Sequence, residues 1–108
     1  MIRSPANALR RLFDATKRDM DRDELDWFSG LTEVAIMQAD NVADTLNALA
    51  MAISGSGPSA PDDDQLVNIL FSLALQAETV SALAYIGSEA EFIAGECNQK
   101  TNGHKKPA

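Results

Sequence analysis

The sequence predicts an all-α protein: a short N-terminal helix, then a long antiparallel helical hairpin (about 22–54 and 62–94), expected to dimerise into a helical bundle. Three observations predict it. Ala and Leu dominate the apolar residues, while the 108 residues hold only one Trp, one Tyr and four Phe; this composition favours helix. No segment alternates strictly between polar and apolar residues, as a half-buried strand would. Finally, apolar residues recur at 4-3 spacing on both sides of one Gly/Pro-rich break, SGSGPSAPDDDQ (54–65).

In chain order, Ser4-Pro5 opens the first helix, Ser as cap acceptor and Pro at a position that forfeits no backbone bond. Leu9, Leu12, Phe13, Thr16 and Met20 then give one narrow apolar edge, a short amphipathic helix over about 5–18. After the charged KRDMDRDEL, Asp21 with Glu24 three residues on reads as a capping box that restarts a helix. The stripe that follows is Leu25, Phe28, Thr32, Ala35, Ala39, Val42, Leu46, Leu49 and Ile53. It keeps its phase through Gly30, which predicts one continuous or slightly kinked helix; the alternative is that SGLT ends one helix and Thr32 caps the next.

The dodecapeptide reads as a chain reversal. Ser54-Gly55 stops one helix, Pro58 and Pro61 bar its continuation, and Asp62–Asp64 supply cap acceptors and negative charge to the next. The helix to about residue 94 has a main apolar face (Leu66, Ile69, Leu70, Leu73, Ala77, Val80, Leu83, Ala84, Gly87). A second apolar set, Phe71, Leu75, Ala82, Ile86 and Ile93, lies opposite, so this helix should be sandwiched at the centre. A short N-terminal helix cannot cover all of that second set. Self-association is the economical solution, with Phe71, Leu75, Ala82 and Ile86 as its candidate residues. ADTLNALAM (43–51) and AETVSALAY (77–85) echo each other at an offset of 34 residues. That is the tetratricopeptide period, but each copy lies within one long helix and no Trp/Gly/Tyr/Pro signature accompanies it. The echo describes matched helices with small residues along their seams. Residues 1–95 are therefore expected to form one helical domain and 96–108 a flexible basic tail.

Net charge is −7, and its layout is uneven. Arg3, Arg10, Arg11, Lys17 and Arg18 make one end basic, Lys100, Lys105 and Lys106 the other, and residues 23–99 contain no Lys or Arg. Three readings follow: the acidic body keeps the protein soluble; the basic ends fold back onto the acidic body of the same or a partner chain; or the anionic surface recognises a basic partner. An acidic body argues against a conventional DNA reader. Cys97 is the single cysteine, which fits a reducing, cytoplasmic setting. No uninterrupted run of about 18 apolar residues occurs, so no membrane span is expected. The N-terminus lacks the apolar core of a secretory signal.

Residues for chemistry are few. His104 is the only histidine and lies in the basic tail, so no Ser-His or Cys-His pair is available in a folded pocket, and one Cys with one His cannot make a zinc site. Asp62-Asp63-Asp64 lacks the alternating ligands of a calcium loop, no inward Glu-x-x-His motif occurs, and GSG at 55–57 lacks the context of a phosphate loop. The expectation is no enzyme, no cofactor and no metal. What remains is a protein-interaction or regulatory module whose acidic surface binds a basic partner, with Trp27, Asp40, Asp44 and Glu78 as candidate contacts. In its sharper form it would be an inhibitor that presents carboxylates in place of phosphates. Small acidic helical proteins of phages and mobile elements, some anti-CRISPR inhibitors among them, have this general look, an analogy of class carried by no motif. Two alternatives stand beside it. One is a nucleic-acid-binding dimer using Arg3, Arg10, Arg11, Lys17 and Arg18. The other is a structural or chaperone-like helical dimer.

Overall fold

A computed structural model describes residues 4–55 and 60–104, the last eight as backbone only, and among these every regular element is helical. Helix α1 spans Pro5–Thr16, and Ser4 Oγ accepts the Asn7 N–H at 3.2 Å, with Pro5 in the first turn. A 3-10 turn at Lys17–Asp19 leads to α2, Arg22–Ser29, where Asp21 Oδ1 accepts the Glu24 N–H at 2.8 Å. Helix α3 is Leu31–Ser54 and α4 is Asp63–His104. The last start is a reciprocal capping box: Asp62 Oδ1 accepts the Gln65 N–H at 2.8 Å while Gln65 Oε1 accepts the Asp62 N–H at 3.1 Å. Arg3 and Pro58 lie outside the described residues, as do Lys105 and Lys106.

Two boundaries differ from the sequence expectation. The stripe through Gly30 is divided into α2 and α3 by that residue. Gly30 keeps right-handed helical angles, φ −64° and ψ −15°, but the ladder tightens around it. Its N–H bonds the Trp27 carbonyl and the Glu33 N–H bonds the Gly30 carbonyl, each at 3.2 Å, both three-residue bonds. The Ser29 hydroxyl also donates to the Asp26 carbonyl at 2.6 Å, competing for the last turn of α2. The second difference is at the end of α4, expected near residue 94 but found at His104. No proline interrupts the helix before Pro107, and Gly95 costs only about 1 kcal/mol relative to Ala in a helix.

Helix α4 is the spine, packed along its length by α1, α2 and α3. Thr32 lies against Gly87, and Ala52 shares a groove with Pro61 and Gln65, so α3 and α4 run in opposite directions. Helix α1 follows α4 in the same sense: Arg10 reaches Ser81, Lys17 reaches Glu89 and Arg18 reaches Glu96. The main core cluster lies at that end, where Phe13, Leu25, Ile86, Ala90, Ile93 and Ala94 are buried together under Met20, Phe28, Leu31 and Tyr85. Phe13 meets Phe28 with ring centroids 5.7 Å apart and Tyr85 edge-on at 6.5 Å. At Gly87 α3 and α4 approach closely: a Cβ there would stand 2.6 Å from the Thr32 nitrogen and 3.2 Å from its Cα. At the other end only α3 and α4 remain, as a two-helix arm. The molecule is accordingly long, 75 × 27 × 17 Å with a radius of gyration of 19.8 Å, against about 13 Å for a compact domain of this length.

The second apolar set of α4 is divided between these two ends. Ala82 and Ile86 are 0% and 3% exposed, buried with Ile93 beneath α1 and α2, which corrects their place among the self-association candidates. Two helices, α1 and α2 together, cover what the short first helix alone could not. Phe71 and Leu75 lie beyond their reach and stay 68% and 53% exposed. Within Asp63–Glu96 of α4, an 18-residue window also meets the length and composition needed to cross a membrane, with a mean hydropathy of 1.5 and 17% of its residues buried. Counting uninterrupted apolar residues misses this, because Asn68, Ser72 and Gln76 punctuate the run without charging it.

Candidate functional site

At the three-helix end the basic residues of α1 are turned onto α4. Lys17 Nζ lies 3.2 Å from Glu89 Oε1 and 3.3 Å from Asp14 Oδ1, and donates to the Tyr85 hydroxyl at 3.4 Å. Tyr85 donates to Asp14 Oδ1 at 2.6 Å. Arg10 donates to Ser81 Oγ at 2.6 Å and its guanidinium sits 5.4 Å from the Tyr85 ring centroid. Arg18 pairs with Glu96 at 3.4 Å. Arg11 is exposed, with no ion pair among the described residues.

This arrangement moves three titrations. The Tyr85 hydroxyl bond, helped by Lys17 and Arg10, holds the Asp14 carboxyl below its ordinary value against the opposing effect of burial. The Tyr85 phenol is pushed up, first by its bond to Asp14 and then by burial. Burial pulls the Lys17 ammonium down, but its bonds to Glu89, Asp14 and Tyr85 outweigh that and leave it raised. All three shifts favour α1 docked with its charges paired.

The arm is built differently. Its two helices touch along one line, where Leu31, Ala35, Val42 and Leu49 of α3 are buried or half-buried against Leu66, Ile69, Leu73 and Val80 of α4. Helical periodicity sorts the residues on either side of that line. On one face stand Gln38, Asn41, Thr45 and Ala48 of α3 with Gln65, Asn68, Ser72 and Gln76 of α4. One open groove of about 630 Å³ runs there, lined by Thr45, Ala48, Gln65 and Asn68 together with the apolar Leu49, Ala52, Pro61 and Ile69. The opposite face presents Ala39, Ala43, Leu46, Ala50 and Ile53 with Val67, Leu70, Ala74 and Ala77, all exposed. Both faces of the arm are uncharged; one carries its amide and hydroxyl side chains beside the partly apolar groove, the other is apolar. Leu46, Ile53 and Leu70, expected within the buried stripes, are about half exposed at 46%, 48% and 49%. Two cylinders in contact cannot bury residues this far from the contact line.

The carboxylates occupy the arm's outer edges. Asp40 and Asp44 are exposed on α3 opposite its contact line, in one row with Glu33, Met37 and Met51, and Glu78 is exposed on α4. None of Glu33, Asp40, Asp44 or Glu78 has a cationic partner among the described residues. Trp27 is 69% exposed, its ring edge-on to Phe28 at 5.0 Å, while Phe28 turns inward to the core. Trp27 sits on α2 and the three carboxylates on the arm, so the four candidate contacts do not form one patch. A second hollow of about 260 Å³ lies between α1, α2 and α4, lined almost wholly by apolar side chains including Leu9, Phe13, Met20 and Leu83. Among the described residues no group of three or more His, Cys, Asp or Glu side chains is placed to hold a metal ion.

Sequence reasoning missed the apolar face of the arm. Its signal was present: within 36–53 and 65–80 every Gln, Asn, Ser and Thr falls to one side of the contact line, except Asn47. No family model, curated protein or solved structure matches the chain.

Proposed function

We propose that the protein is a non-enzymatic helical interaction module with a regulatory role. It self-associates through its arm and engages a basic protein partner through the carboxylates on the arm's edges. One observation carries this reading: the arm leaves Leu46, Ile53, Val67, Leu70, Phe71 and Leu75 about half exposed or more. Apolar surface on that scale marks a contact surface. Asp40, Asp44 and Glu78, without a cationic partner among the described residues, support a basic partner, and in the sharper form an inhibitor that takes the place of nucleic acid in a basic groove. The nucleic-acid-binding reading draws less support, because Lys17 and Arg18 are spent on Glu89 and Glu96.

The test is capture of a partner by the tagged full chain from its native host, repeated with Asp40→Lys, Asp44→Lys and Glu78→Lys combined. Loss of capture in the triple variant supports the acidic edge, and release of the partner by added duplex DNA supports the inhibitor form. Unchanged recovery by the triple variant overturns the acidic edge. A salt-dependent shift of labelled DNA or RNA that vanishes on deleting residues 1–18 decides for the nucleic-acid reading instead.

A further inference from the structure

We infer that the uncharged apolar face of the arm, centred on Leu46, Ile53, Val67 and Leu70, is covered by the same face of a second copy of this chain, related by a two-fold axis. The inference rests on the self-association reading above and names its surface and occupant. It replaces the edge residues Phe71 and Leu75 as the centre of contact.

Three features select a second copy. The first is charge. The chain carries −7 overall, yet this face holds no ionisable side chain from Ile36 to Ile53 or from Gln65 to Ala77, the carboxylates standing on the outer edges. Two anionic copies can meet there without burying or opposing a carboxylate, whereas a basic partner finds nothing on it to pair with. The second is symmetry. With Thr32 beside Gly87, the antiparallel register sets Val42 beside Ala77 and Ala43 beside Gln76. On both helices the face presents the same kind of side chain, Ala39, Ala43, Leu46 and Ala50 on α3 and Val67, Leu70, Ala74 and Ala77 on α4, all exposed. A two-fold interface requires such a self-complementary patch. The third is size. From Ile36 to Ile53 the face is about 26 Å long at about 1.5 Å per residue, and two packed helices present about 20 Å of width. Helix α4 contributes only from Gln65 to Ala77, about 18 Å, so the face is about 450 Å² on each copy and about 900 Å² in all, the size of a small interface. Stacked in this way the two arms form four antiparallel helices around one seam, with Ala39, Ala43, Ala74 and Ala77 allowing close approach.

Sedimentation equilibrium on the full chain, over a wide range of concentration, tests the inference. The expected result is a dimer whose dissociation constant rises by about 100-fold or more in the Leu46→Glu, Leu70→Glu double variant, since each substitution occurs twice across the two-fold. Asn68→Glu, on the opposite face, should leave the dimer intact. Both leucines are exposed in the single chain, so far-UV circular dichroism should show unchanged helix content; if it falls, the Leu46→Gln, Leu70→Gln pair takes its place. A wild-type chain that stays monomeric overturns the inference, as does a dimer that survives the double variant but is broken by Phe71→Glu or Asn68→Glu. Flotation of the monomer with neutral phosphatidylcholine vesicles overturns it in favour of lipid as the occupant. The partner reading fails separately: a monomer that still captures its partner through Asp40, Asp44 and Glu78 removes only this inference, and a dimer that captures none removes only that reading.

Discussion

Gly87→Ala tests the close approach of α3 to α4. Ala is the better helix former, so on propensity alone the change stabilises α4 by about 0.5–1 kcal/mol. The tertiary structure predicts the opposite sign. The new Cβ would collide with Thr32 Oγ1 and stand 2.6 Å from the Thr32 nitrogen and 3.2 Å from its Cα. The last two are backbone atoms at the start of α3, so no rotamer change relieves them and the helices must part. Overpacking of this kind costs about 1–3 kcal/mol, which outweighs the propensity gain and leaves a net loss of about 1–2 kcal/mol. Trimming the side chain with Thr32→Ala should recover only part of the loss, because the nitrogen contact remains. The assay is urea unfolding followed by far-UV circular dichroism and Trp27 fluorescence at fixed protein concentration. With a slope of about 1–2 kcal/mol per molar urea, the midpoint should fall by about 1 M at unchanged slope. A midpoint that stays or rises would refute the reasoning, since α3 and α4 would then not approach closely at this position.

Three further outcomes follow from the same structure. Leu25 is the largest side chain buried to 1% exposure, and Leu25→Ala should cost about 2–5 kcal/mol in urea unfolding, against about 0.5 kcal/mol or less for Leu12→Ala at the surface. Asp62→Ala removes one half of the capping box with Gln65 and should cost about 1 kcal/mol, read as the same midpoint shift. The Asp14–Tyr85–Lys17 cluster makes stability depend on pH at both extremes. Asp14 is lowered on folding, so its contribution is present above the unfolded value of about 4 and lost as pH falls through the folded one. Tyr85 and Lys17 are raised, so theirs is complete below about 10 and lost as pH rises through the folded values. Tyr85 is the only tyrosine; its phenolate absorbance should titrate above the ordinary value and move down in Asp14→Asn, and an ordinary midpoint in the wild type would count against the bond.

What could be read in the sequence was local. Ser4-Pro5, Asp21 and Asp62 cap because a side-chain oxygen lies within three residues of the N–H it accepts, a relation that tertiary structure does not alter. The inward turn of Phe28 follows from its place in the stripe and was equally legible. The candidate site was legible only in part: Asp40, Asp44 and Glu78 are exposed as their phase requires, whereas the apolar face between them went unread. By itself the sequence determined that the protein is helical, where three of its four α-helices begin, and which residues share a face.

Only the tertiary structure decided which faces are covered. Helical periodicity places Phe71, Leu75, Ala82, Ile86 and Ile93 on one side of α4 but carries no information about where a neighbouring helix stops. The 3-10 turn at Lys17–Asp19 and the pairing of Lys17 and Arg18 with Glu89 and Glu96 set α1 beside one end of α4. Ala82, Ile86 and Ile93 are therefore core, and Phe71 and Leu75 are surface. The same holds at Gly30, where unbroken phase gave no warning of tightened bonds, and at Gly87, whose missing side chain matters only because Thr32 arrives beside it. Burial depends on contacts between residues far apart in the chain. Whether the apolar face of the arm is surface or seam therefore depends on what meets it.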